Sequence, residues 1–287
     1  MGPITTKFKQ MGVDAKIYAP EDRPRQNRLR GGRIFNTVFN TPAIRDGNIM
    51  RIDVVRDNKT GNPYFDICTN LHLQVLDIEP KEKHLVLMAR TNEGEKQKYL
   101  CGFDERGWFA AALPETPKAR DRRGISSVQS AKDSLKPKEV RDAEDGKRMK
   151  RRKRNQRVNK ASKRQGEWFF VPARKLDVNE ELILINEPIQ MGGKRKHICQ
   201  EVYRTGGEKV WVGRHYRNGI TEDAYRNLSP NIRSKEGFRQ MTRDAEVYAR
   251  GAIKAPDHDT LYLDGWHRVI PNTEGRAAHA EKVVFLD

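Results

Sequence analysis

The chain has 287 residues, 56 of them Lys or Arg and 39 Asp or Glu, for a net charge of +17 at pH 7. That length supports two compact domains with cores of their own. No stretch of about 18 apolar residues occurs and the start lacks the apolar core of a secretory signal, which excludes a membrane-spanning helix and points to the cytoplasm, or the nucleus of a eukaryotic host.

Residues 1–28 carry little apolar periodicity and run into "EDRPRQNRLRGGR" at 21–33, with Arg23, Arg25, Arg28, Arg30 and Arg33 among Pro and Gly, the composition of a basic flexible arm. A β domain is expected over 29–115. Its short runs "NIMRIDVV", "YFDIC", "LHLQVLD", "KHLVLMAR", "KYLCGF" and "WFAAAL" are separated by turn signals such as "DNKTGNP" and "TNEGE". Close spacing of this kind suggests an antiparallel meander curled into a small barrel. Leu71, Leu73 and Val75, then Leu85 and Leu87, keep the period of two that a half-buried face requires.

Residues 116–165 read as a charged connector, helical or disordered. A short helix is predicted from Ser127 on the stripe Val128, Ala131 and Leu135, and Pro137 opens a second. That second helix runs into Lys147, Arg148, Lys150, Arg151, Arg152, Lys153, Arg154, Arg157, Lys160, Lys163 and Arg164, eleven cations with no acid between them. Its apolar positions, Val140, Met149 and Val158, form no continuous stripe, and like charges repel, so a frayed helix or coil is expected.

From Gly166 to residue 287 the pieces segregate as α+β: "EWFFVP", "ELILIN" and "EKVWVG", two helices in "TEDAYRNL" and "KEGFRQMTRD" capped by Thr221 and Ser234, then "EVYARGAI", "TLYLDGWHRVI" and "KVVFLD". Trp168 and Phe170 share one face of a strand and are expected in the core. The whole chain is therefore expected to be α+β and β-rich: a barrel-like domain, a basic connector and an α+β domain. Cys68, Cys101 and Cys199, odd in number and widely spaced, suggest buried thiols and no disulfide or zinc framework. No cofactor is expected: "GGKRKH" at 192–197 lacks the P-loop spacing, and no Gly-rich dinucleotide loop or Gly-x-Ser-x-Gly elbow is present.

The eleven cations point to a polyanion. Lysines and arginines that neutralise phosphates release condensed counterions, and arginine adds paired hydrogen bonds to phosphate oxygens. With only Met149 and Val158 breaking the charge, the run has no apolar face for a membrane surface. RNA or DNA is the expected partner, with RNA preferred because long basic segments between compact modules suit folded RNA. An acidic protein partner is the adaptor alternative, and "KARDRR" at 118–123 extends the same track.

An enzymatic alternative rests on Asp257, His258, Asn272 and His279, which resemble in order an HNH nuclease. The resemblance implies a histidine that activates water beside a metal held by the acid and the last histidine. It covers four positions and lacks the cysteine pairs that often frame such a motif. Asp264 and Gly265 look like a two-residue hairpin turn, which would put His258 and His267 on an exposed face about 13 Å apart, too far for one metal.

Overall fold

The structure, a computed structural model, describes residues 2–22, 47–104, 107–114, 124–190 and 196–272. Among these the chain divides into two compact units: the first holds residues up to Lys136 together with Lys150–Asn155, the second Pro137–Met149 and Gln156–Asn272. Strands dominate both, their sheets are largely antiparallel, and no sheet closes into a barrel.

The first unit opens with α1 (Pro3–Gln10) and β1 (Asp14–Tyr18). Phe8, Met11 and Val13 are buried, so residues 3–18 are part of the core and not of an arm; Arg23, Arg25 and Arg28 lie outside the described residues. β1 runs parallel to β3 (Pro63–Thr69), which pairs antiparallel with β2 (Met50–Arg56). The turn between β2 and β3 is set by Asp57, whose Oδ1 accepts the amides of Lys59 and Thr60. A second sheet is the expected meander, β4 (His72–Glu79), β5 (His84–Arg90), β6 (Lys96–Phe103) and β7 (Trp108–Ala112), in that order and open at both edges.

Side-chain alternation along β5 builds a three-layer stack. Leu85, Leu87 and Ala89 face Phe8, Ile52, Phe65 and Ile67 of the first sheet and α1, while Val86 faces the other way. On that outer face lies α2 (Val128–Leu135), which buries Val128, Ala131 and Leu135 against Val86, Leu100 and Ala111. Its start is doubly capped. Ser127 and Ser130 form a capping box, and Asp77 accepts the amide of Val128 at 2.8 Å from a bulge in β4.

The chain then enters the second unit as α3 (Lys138–Gly146), returns to the first as the single turn α4 (Arg151–Arg154), and re-enters the second as β8 (Lys163–Gln165). β8 is one edge of a six-stranded sheet completed by β9 (Trp168–Pro172), β10 (Leu184–Ile189), β11 (His197–Thr205), β14 (Glu246–Ala255) and β15 (His258–Pro271), in the order β10-β11-β14-β15-β9-β8. Trp168 and Phe170 point into one core with Cys199, Val202, Ile253 and Leu263; Phe169 and Ile270 face the other way and take Val140 of α3.

Between β11 and β14 stands a small hairpin, β12 (Glu208–Val212) and β13 (Arg239–Arg243), with α5 (Glu222–Arg226) and α6 (Pro230–Glu236) inserted. Thr221 caps α5 as expected, but Ser229 and not Ser234 caps α6, which ends at Glu236, and half of "KEGFRQMTRD" is the strand β13. Trp211 and Tyr225 stack at 4.1 Å to hold this insertion. "KVVFLD" lies outside the described residues. No described helix is long and apolar enough to cross a membrane. All three cysteines are free and buried, and burial pushes the Cys199 thiol up to about 12.

Candidate nucleic-acid interface

The basic run is neither coil nor one long helix. It begins at the end of α3, where Arg148 donates to the carbonyl of Asp145 at 2.9 Å and Met149 to that of Glu144 at 3.3 Å. Those two bonds are a Schellman turn, whose left-handed position is usually glycine. Here Arg148 holds it, at φ 49°. Lys147 and Arg148 are both exposed at this helix end, where the carbonyl dipoles favour positive charge.

α4 sits on α2 within the first unit. Lys136, almost fully buried, donates to the carbonyl of Arg154 at 3.0 Å while pairing with Asp133 at 2.9 Å. Asn155 donates to the side-chain oxygen of Gln129 at 2.5 Å. These polar clamps anchor the turn, while the residues on either side of it are turns and bends. Lys150, Arg152 and Lys153 remain exposed.

The run ends in a hairpin of the second unit. Asn159 Oδ1 accepts the amides of Ala161 and Ser162 at 2.8 and 2.9 Å, and Val158 bridges to Lys163. Two of the expected contact residues are used here by the fold itself. Lys163 bonds the carbonyl of Tyr262 at 2.8 Å and Asp264 at 3.0 Å, holding the Asp264 carboxyl below its usual range; Arg164 lies 5.1 Å over the Phe169 ring and donates to Gly166. Arg154 and Arg157 are also engaged. Lys147, Arg148, Lys150, Arg152, Lys153 and Lys160 are exposed and make no ion pair among the described residues.

A groove of about 600 Å³ in the second unit adds cations that the run alone does not reveal. Lys147, Lys160, Arg174 and Lys175, all exposed, line it together with Ala143, Ala161, Val171, Leu176 and Tyr248; no carboxylate does among the described residues. The Tyr248 hydroxyl donates to Glu246 at 2.5 Å, and burial and that bond push its pKa up to about 12, so the ring stays neutral. Arg174 and Lys175 carry no sequence signal beyond a basic pair after a strand, and such pairs are common in a chain with 56 cations.

The Asp257 and His258 pair is arranged differently from expectation. The β14 and β15 strands turn at Pro256 and Asp257, since Ala255 pairs with His258, while Asp264 to Trp266 form a bulge opposite Arg250. His258 is therefore buried and not displayed. Its side chain is 4% exposed, 3.7 Å from Asp257, and stacked at 5.8 Å on His197, which sequence spacing had placed apart from any acid. Gly166, at φ +55°, makes room for the pair: a β-carbon there would stand 2.9 Å from His258 Nε2 and 3.3 Å from His197 Nε2. Asn272 is buried and its amide donates to Glu167 at 2.7 Å; His279 lies outside the described residues. Among the described residues no group of three or more His, Cys, Asp or Glu side chains could hold a metal ion.

The chain matches no family model, no curated protein and no solved structure.

Proposed function

We propose that the protein is a non-enzymatic nucleic-acid binder, with RNA preferred over DNA, that grips the phosphate backbone through the exposed cations between Lys147 and Lys160. One observation carries this reading: six cations within fourteen residues are solvent-facing and form no ion pair among the described residues, while the two at the end of the run, Lys163 and Arg164, are engaged by the fold. Concentrated positive charge of this kind destabilises the compact state by self-repulsion, and a polyphosphate relieves that repulsion while releasing its own counterions. Holding Lys150, Arg152 and Lys153 on a clamped turn also lowers the ordering cost that a disordered basic tail would incur on binding.

Replacement of Lys150, Arg152 and Lys153 by Gln tests the reading. Titrated with single-stranded RNA at low salt, the variant is expected to bind about ten-fold or more weakly, and the slope of log K against log salt to shrink by about 2, at 0.7 per phosphate. Unchanged affinity would remove the proposal. If polyglutamate binds the wild type as tightly as RNA does, the chain is instead an adaptor for an acidic protein.

A further inference from the structure

The groove beside α3 has a composition that a plain phosphate grip does not require. Lys147, Lys160, Arg174 and Lys175 line an open concavity whose walls also include the apolar surfaces of Val171, Leu176 and Tyr248. Its volume of about 600 Å³ falls in the range of about 300–1,000 Å³ typical of sites that enclose a small organic group. Among the described residues no lining side chain is acidic, so whatever enters meets positive charge beside apolar walls.

Resting on the nucleic-acid reading above, we infer that this groove takes an unpaired base of an RNA strand, with its flanking phosphates on Lys147, Lys160, Arg174 and Lys175. The chemistry of each half selects the ligand. The apolar walls cover a base only if it is splayed out of a stack, and a duplex keeps its bases stacked and offers only phosphates. Four cations can neutralise more than one phosphate, which a strand supplies on both flanks of a base. Because Lys147 and Lys160 also belong to the run of exposed cations, the strand continues onto them.

Gly146 provides a test that leaves the charge untouched. It lines the groove at the end of α3, its backbone is not left-handed, and a β-carbon there meets nothing within 4 Å. Gly146→Leu fills the groove and favours the helix, so the fold is retained. The probes are a short labelled oligouridylate and an RNA duplex of equal length, titrated onto the full chain. The inference predicts that Gly146→Leu weakens the oligouridylate about ten-fold while duplex affinity stays within about two-fold of wild type, as set by the range of base-stacking contributions. A second variant, Arg174→Gln with Lys175→Gln, lowers the single-strand salt slope by about 1.4, at 0.7 per phosphate. If Gly146→Leu leaves single-strand binding unchanged, or weakens strand and duplex equally, the groove is not a base site although the backbone grip stands. If the wild type binds neither probe in dilute buffer, the nucleic-acid reading itself fails and this inference with it.

Discussion

At the scale of single residues, the sharpest sign of function over stability is Arg148. The left-handed position of a helix-ending turn costs a non-glycine L-residue about 1 kcal/mol or more, and glycine is the usual occupant. Arg148→Gly is therefore expected to raise the stability of the second unit by about 1 kcal/mol while weakening RNA binding. Denaturant melts read the first effect and titrations the second; a variant that is less stable, or that binds unchanged, contradicts the assignment. His267 gives a pH signature unrelated to binding. Burial lowers its pKa below 6.5, and its ring donates from Nδ1 to the carbonyl of Gly265 at 2.7 Å. As pH falls below about 6.5 the unfolded chain takes the proton first, so the native state loses stability until His267 itself titrates, with a slope of at most about 1.4 kcal/mol per pH unit. His267→Asn, which keeps a donor near Nδ1, should flatten that part of the stability profile; an unaltered slope would place the titration elsewhere.

At the scale of elements, what was legible in the sequence depended on whether apolar periodicity did the positioning. The meander β4 to β7 and the stripe of α2 were legible because Leu85, Leu87, Val128, Ala131 and Leu135 each obey one period. β11 was not, because a bulge between Cys199 and Glu201 breaks its alternation and buried His197 reads as polar. Asp264 and Gly265 have the local chemistry of a hairpin turn, yet long-range pairing with β14 makes them a bulge. α4 was illegible for a different reason: its anchors are a carbonyl and two amide side chains, and no hydrophobic pattern encodes them. That account is testable at Lys136. Lys136→Met leaves Asp133 and the Arg154 carbonyl without their buried partner, at a cost of about 2–4 kcal/mol to the first unit. Amide exchange in residues 150–155 should quicken, and unchanged protection would mean that something other than Lys136 holds the turn.

Across the whole molecule, composition pointed toward a polyanionic partner, while the fold decides which cations are exposed. Of the eleven in the run, Lys163 and Arg164 are bound into the second unit, a use that charge counting could not foresee because Asp264 and Phe169 are remote in sequence. The groove was equally hidden, since Arg174 and Lys175 meet Lys147 and Lys160 only through the packing of α3 and β9. Arg154 and Arg157 are engaged as well, and the described side chains then leave Lys147, Arg148, Lys150, Arg152, Lys153 and Lys160 exposed and without an ion pair. The consequence is thermodynamic: association with a polyphosphate is expected to weaken steeply and linearly on a logarithmic salt scale. The decisive measurement is that salt titration with wild-type protein and single-stranded RNA. Six engaged phosphates predict a slope of about −4, at 0.7 per phosphate. A slope near zero, or no association even in dilute buffer, would contradict the claim that these side chains are held out for a phosphodiester chain.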